Sequence, residues 1–305
     1  MSFEVKPVFV PSTDNIHILK GKMYIPHREI KGLFHIVHGM TEHIERYDVL
    51  MSYLAEKGYI TFGYDNLGHG KTAGNDSELG FIAHKYGWKY LVDDIDIFEN
   101  EIKKRYPDND LFLMGHSMGS FIVRLAAEKF PKNCKKLILC GTAGKNPLAP
   151  AGLALTKLIG LLKGEKYISR TVLNMAFGSY NKNFEGNTEY EWLTKEKSNI
   201  IKYADDKYCT FKFTVSAMHD LIKLNSKCNS ASWFKNIRKD MPILLISGER
   251  DPVGNYSKGV KWVYSNLKKA GADAQIKIYE NCRHEILNDT CRNEVMNDIL
   301  KFINS

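Results

Sequence analysis

Apolar positions along the chain alternate between two spacings. Short apolar runs read as buried strands: "GLFHIVHG", "YITFGYD", "LFLM", "KKLILCG", "MPILLISG" and "AQIKIYE". Between them the apolar residues recur at helical spacing. The segment from about Tyr86 to Tyr106 puts Leu91, Ile95, Phe98 and Ile102 on one face, and further helices are expected at about Tyr47 to Lys57, Val260 to Ala270 and Ile286 to Ile303. Strands alternating with helices argue for an α/β fold with a mostly parallel sheet and crossover helices. The first section differs, because "VKPVFV" and "IHILKGKMYIP" flank the turn-rich "PSTDN" and so read as an antiparallel hairpin.

Between Gly141 and Asp240 the alternation lapses. This segment opens on the apolar "PLAPAGLALTKLIGLLKG" and continues into a stretch rich in Lys, Asn, Tyr and Glu. Crossovers are normally far shorter. Residues 145–239 are therefore expected to form a helical cap or lid over the strand ends, where ligands bind in open α/β sheets, leaving 1–144 and 240–305 as the core.

Composition narrows the function classes. The 305 residues are 44% hydrophobic and 26% charged, which fits a globular chain with a sizeable core. Met1 to Lys20 contains no basic-then-apolar leader, and the apolar segment Ala149 to Leu162 is broken by Lys157 and falls short of the ~20 residues a spanning helix needs. A cytoplasmic location is expected. The net charge of +8 rests on lysines spread along the chain, with only nine arginines, so a solvated basic surface is expected rather than a nucleic-acid partner; transient contact with an anionic membrane surface is a secondary reading. Oligomeric state is not legible. The six cysteines show no metal-ligand spacing and are expected as free thiols, and no metal or organic cofactor is called for.

Candidate chemistry centres on "LFLMGHSMGSFIVRLAAEKF", residues 111–130. A strand leads into Gly115-His116-Ser117-Met118-Gly119, and Phe121, Ile122, Leu125 and Ala126 follow at helical spacing. A sharp strand-to-helix turn has no room for side chains beside its apex, which explains a glycine on either flank of Ser117. The pattern is that of a G-x-S-x-G nucleophile elbow. A serine hydroxyl needs a base, and the base needs an orienting acid, in the chain order Ser, Asp or Glu, His for this kind of sheet. Asp251 follows the strand "ILLISG", and His284 follows the strand "AQIKIYE". Glu249 shares the acid's loop and is its rival. Of the histidines after Ser117, only His219 competes with His284, and it falls inside the insertion. The oxyanion donors are expected to be the backbone N–H of Met118 and that of Met40, in the loop after "GLFHIVHG", with His38 bracing that loop.

Four segments, "HGMTEHIERY", "GYDNLGHGKTAG", "GHSMGS" and "HEILND", together with "SGERDPV", resemble the monoacylglycerol lipase and lysophospholipase family of α/β-hydrolases. The resemblance runs from about Lys31 to the C-terminus and is weakest through the insertion. It implies an eight-stranded sheet, a triad of Ser117, Asp251 and His284, and a helical cap around an acyl-chain pocket. It also implies that Asp65, Gly68, His69 and Gly70 form a structural turn, and that Glu42, His43 and Arg46 form a polar cluster bracing the oxyanion loop. Ser120 departs from the glycine common at that place. The expected function is a serine hydrolase cleaving carboxylic esters of lipid-like substrates through an acyl-enzyme. A thioesterase, or a small-peptide aminopeptidase using Glu185, Glu189 or Glu191 to hold an amine, would use the same triad, and a non-catalytic binding protein on this fold is a further alternative.

Overall fold

The computed structural model describes residues 2–305. Eight strands form one sheet in the order β1-β2-β4-β3-β5-β6-β7-β8. β1 (Phe3–Pro11) and β2 (Ile18–Pro26) make the expected antiparallel hairpin, and β2 also runs antiparallel to β4 (Tyr59–Tyr64). From β4 through β3 (Gly32–Val37), β5 (Leu111–His116), β6 (Lys136–Cys140), β7 (Ile243–Gly248) and β8 (Ala274–Tyr279) every neighbour is parallel. β3 to β7 are buried along their whole length, as unbroken apolar runs require when both faces are covered.

One face is covered by α2 (Gly87–Lys103), α3 (Met118–Lys129) and α9 (Lys258–Lys269), which contribute Ile95, Phe98, Ile122 and Val263 to the larger core cluster. On the opposite face, α1 (Asp48–Glu56) and α10 (Arg292–Asn304) bury Leu50, Leu54, Val295 and Ile299. The chain leaves β3 towards β4 and returns to β5 on β3's other side, so the connections diverge at the C-terminal ends of β3 and β5. Such a switch point opens a crevice in an open α/β sheet, and the Met40 and Ser117 loops both start there.

Five helices lie between β6 and β7: α4 (Ala149–Lys163), α5 (Arg170–Phe177), α6 (Lys197–Asp205), α7 (Val215–Cys228) and α8 (Ala231–Asn236). The last is rooted on the sheet layer, since the Trp233 indole N–H donates to the Arg124 carbonyl at 2.8 Å and the Arg124 guanidinium stacks 4.2 Å from the indole. No helix among the described residues is long and apolar enough to cross a membrane.

Two sequence expectations need correction. The terminal helix begins at Arg292 rather than near Ile286, because the Asp289 carboxylate accepts the Lys195, Arg283 and Thr290 amides and holds 283–290 as a loop. Cys134, Cys140, Cys209 and Cys228 are free and buried as expected, but Cys282 and Cys291 are joined as a disulfide that closes this same loop.

Candidate active site

Ser117 sits between β5 and α3 with φ 51° and ψ −119°, a strained backbone for a residue with a Cβ. The flanking glycines are sterically forced. A Cβ on Gly115 would lie 2.3 Å from the Gly119 carbonyl oxygen, and one on Gly119 would lie 2.1 Å from that of Val37. The turn is fixed further by the Ser117 amide donating to Cys140 O at 2.9 Å. The Ser120 hydroxyl donates to Ser117 O at 2.6 Å, so the residue that departs from the family pattern ties down the elbow itself. Met118 is the first residue of α3, and its N–H is one of the unpaired donors at the positive end of a helix.

Asp251 lies in the loop after β7 and is fully buried. One carboxylate oxygen accepts the Val253 amide at 2.8 Å; the other lies 3.3 Å from the Ser247 hydroxyl and 2.9 Å from His284 Nδ1. Its rival Glu249 is exposed and accepts the Asn281 amide at 3.0 Å. His284, in the loop after β8, is 2% exposed. Its backbone N–H reaches Trp192 O at 3.4 Å, the next amide donates to Leu193 O at 2.7 Å, and the Trp192 ring packs 5.2 Å from the imidazole. The inserted segment therefore rests directly on the histidine loop. Ser117, Met118, Met40 and His284 line one cavity of ≈ 750 Å³, within the usual range for small-molecule sites. Ser117 and His284 share this cavity without a hydrogen bond between their side chains among the described residues. Asp251 stands behind His284, away from the cavity lining.

Polar residues behind the Met40 loop form a connected set. Gly39 N–H donates to Glu42 Oε1 at 2.5 Å, the Tyr47 hydroxyl donates to it at 2.9 Å, and Arg46 bridges Glu42 to Glu285. His38 accepts the Asn66 amide on Nε2 at 2.8 Å and faces the Gly39 carbonyl with Nδ1, which makes it a brace for this loop. Asp65 accepts the Ile44 and Lys71 amides, and His69 is buried behind His38. The residue that sequence reasoning missed is His116. Its Nδ1 lies 2.9 Å from Glu42, its Nε2 donates to the His284 carbonyl at 3.4 Å, and its ring is 4.7 Å from that of His284. Burial disfavours the His116 cation, but the Glu42 carboxylate outweighs it and raises the pKa. Burial would likewise raise Glu42, yet His116 and Arg46 hold it well below the usual carboxylate range. Only its place inside the elbow motif could have pointed to His116.

The cavity wall above Ser117 is apolar on one side, with Phe121, Leu173, Phe177, Met218 and Leu221. Of the acids considered for an amine-binding role, Glu189 lines the cavity and is exposed, while Glu191 is bound to Thr188 and near Arg283.

A sequence model described as serine aminopeptidase, S33, matches residues 28–291. The monoglyceride lipase of Rattus norvegicus is 26% identical over 288 residues, covering 91% of this chain and 86% of that protein. The chain belongs to the monoacylglycerol lipase and lysophospholipase family of α/β-hydrolases. Among solved structures, a thermostable carboxyl esterase from Bacillus coagulans in complex with glycerol superposes with a TM-score of 0.92 at 29% identity, covering 98% of both chains. A soluble variant of the Saccharomyces cerevisiae monoglyceride lipase, in complex with a substrate analogue, gives 0.76 at 19% identity, covering 99% of this chain and 95% of that one; at that identity it speaks to the fold.

Proposed function

We propose that this carboxylic ester hydrolase cleaves the acyl ester of a lipid-like substrate, a monoacylglycerol or lysophospholipid, through Ser117, His284 and Asp251. The observation that carries the reading is the strained Ser117 turn in one cavity with His284, whose Nδ1 faces the buried Asp251 carboxylate at 2.9 Å. In the first step His284 Nε2 takes the hydroxyl proton as Ser117 Oγ adds to the ester carbon. The resulting oxyanion is met by the Met118 and Met40 amides, each such donor being worth ~2.7–4 kcal/mol in comparable sites. Collapse of the intermediate expels the alcohol, which receives the proton from His284. Water, deprotonated by the same imidazole, then releases the acid and restores Ser117. Asp251 remains ionised and holds the imidazole with its Nδ1–H towards the carboxylate.

The segment 145–239 acts in this reading as the cap. α5 and α7 contribute Leu173, Phe177, Met218 and Leu221 to an apolar wall suited to an acyl chain. Hydrolysis of p-nitrophenyl esters from acetyl to palmitoyl, followed by monoacylglycerol and lysophosphatidylcholine, tests the reading with Ser117→Ala in parallel. A preference for medium or long chains that vanishes in the variant is expected. A folded protein active only on acetyl esters would overturn the lipid assignment, and full activity in the variant would overturn the nucleophile.

A further inference from the structure

Outside the triad, three side chains of metal-ligating type converge where the inserted segment meets the core. His43 belongs to the loop after β3, and Asp206 and Cys209 lie between α6 and α7. One ligand atom from each lies within 4.8 Å of the other two. His43 and Cys209 are buried, and Asp206 is partly so. A tight turn brings the last two together: the Cys209 amide donates to Asp206 O at 2.9 Å, as does the Thr210 hydroxyl at 3.2 Å. The Tyr208 amide occupies Asp206 Oδ1 at 2.8 Å, which leaves Oδ2 to face His43 Nε2 at 2.8 Å.

We propose that His43, Asp206 and Cys209 bind a divalent cation of the zinc class, which pins the inserted segment to the oxyanion loop. Zinc takes sulfur at ~2.3 Å and nitrogen or oxygen at ~2.0–2.2 Å, so donors around one ion stand roughly 3–4 Å apart; Cys209 Sγ has to close in by about 1 Å or less, while His43 Nε2 and Asp206 Oδ2, now 2.8 Å apart, exchange their hydrogen bond for the ion and separate slightly. A thiol with an imidazole favours zinc over calcium or magnesium, which prefer oxygen alone. Binding releases the Cys209 thiol proton to solvent as the sulfur–metal bond forms, and the proton that His43 Nε2 shares with Asp206 Oδ2 moves to His43 Nδ1 or to solvent so that both atoms can ligate. Arg46, whose charge acts on both Asp206 and Cys209, is paired with Glu42 and Glu285, and Lys207 is paired with Asp76. A water or substrate oxygen completes the tetrahedron.

The position gives the ion a consequence. Cys209, Thr210 and Phe211 line the substrate cavity, and His43 is adjacent to Glu42, which holds the Gly39 amide next to Met40. Pinning these parts together obstructs substrate entry, so zinc inhibits hydrolysis reversibly. The test titrates metal-free enzyme with Zn²⁺ against a chromophoric chelator. One equivalent is expected to bind, weakened roughly 100-fold or more by Cys209→Ser and about 10-fold or more by Asp206→Asn, with folding of each checked by circular dichroism. Cd²⁺ in place of Zn²⁺ should give an ultraviolet thiolate charge-transfer band that Cys209→Ser abolishes. Absence of stoichiometric binding, or equal affinity in wild type and both folded variants, would overturn the proposal. Inhibition that persists in both variants would place the inhibitory ion elsewhere and would overturn it equally.

Discussion

Replacing Asp251 by Asn should damage catalysis through the tautomer of His284 rather than through the fold. An asparagine at this buried position can still accept the Val253 amide with its side-chain oxygen, where Asp251 Oδ1 now accepts it at 2.8 Å. Its NH₂ then occupies the place of Oδ2, 2.9 Å from His284 Nδ1, and donates to that nitrogen. His284 Nδ1 becomes an acceptor, the ring proton moves to Nε2, and the nitrogen facing Ser117 can no longer take a proton. The same exchange in Ser-His-Asp proteases lowers kcat by ~10⁴, and each factor of ten is about 1.4 kcal/mol, so the expected loss is on the order of 5 kcal/mol of transition-state stabilisation. The assay is steady-state hydrolysis of a p-nitrophenyl ester over a range of concentrations. kcat should fall about 10³–10⁴-fold with KM nearly unchanged. Glu249→Gln is the control, because Glu249 is exposed and serves only the Asn281 amide; its activity should stay within about threefold of wild type. Asp251→Asn within tenfold of wild type, or an equal loss from Glu249→Gln, would refute the assignment of the acid.

The elbow predicts that Gly119→Ala loses both stability, by roughly 1–3 kcal/mol, and activity, because the new Cβ would meet the Val37 and His38 carbonyl oxygens at 2.1 and 2.6 Å; thermal melting and esterase assays read the two losses. A bulkier side chain in the apolar wall, Leu221→Trp, should shift preference towards short acyl esters while sparing acetate hydrolysis, read as kcat/KM across the chain-length series. Asp220 is 3% exposed and burial pushes its carboxyl up to about 7, against the Trp88 and Gly87 amides that favour the anion. With the folded pKa above the unfolded value of about 3.9, stability should be fully present below pH ~4, fall as pH rises towards 7, and level off above about 8. Asp220→Asn should remove that slope, giving a gain over wild type of up to ~4 kcal/mol at pH 8 in urea melts; a pH-independent difference would contradict it.

The strands from β3 to β7 were legible because a sheet covered on both faces demands continuous apolar runs, and "GLFHIVHG" or "MPILLISG" can satisfy little else. The placement of the candidate site's residues was legible where backbone geometry demands a residue type, as with the glycines beside Ser117, or where a strand end fixes a position, as with Asp251 and His284. What stayed hidden depends on long-range contacts that carry no local pattern. Glu42, His116 and Glu285 are far apart in sequence, and only the folded sheet brings them behind one loop. The start of α10 was misplaced because "HEILNDTCRNEVMNDILKFINS" is helix-compatible throughout, and the decision rests with Asp289 accepting the Lys195 amide from the inserted segment. His43 is likewise far in sequence from Asp206 and Cys209.

Such contacts make the histidine loop a joint product of core and insertion. Asp251 Oδ2 lies 2.9 Å from one side of the His284 ring, while the loop's backbone is held from above: Trp192 O and Leu193 O accept consecutive amides, and Arg283 donates to Thr194 O at 2.9 Å. From below, His116 donates to the His284 carbonyl, and Arg46 reaches the neighbouring Glu285. The cysteine pair then closes the loop on itself. A base that must sit within hydrogen-bond reach of both a serine and a substrate oxygen tolerates little displacement, and a misplacement of about 1 Å can cost ~10² in rate. Residues 190–195 are therefore expected to matter for kcat even where they never touch the acyl chain. Thr194→Val, which removes the hydroxyl that donates to Asn288 O at 2.8 Å, should lower kcat with little change in chain-length preference. An effect confined to KM would instead mean that this part of the insertion serves only to bind substrate.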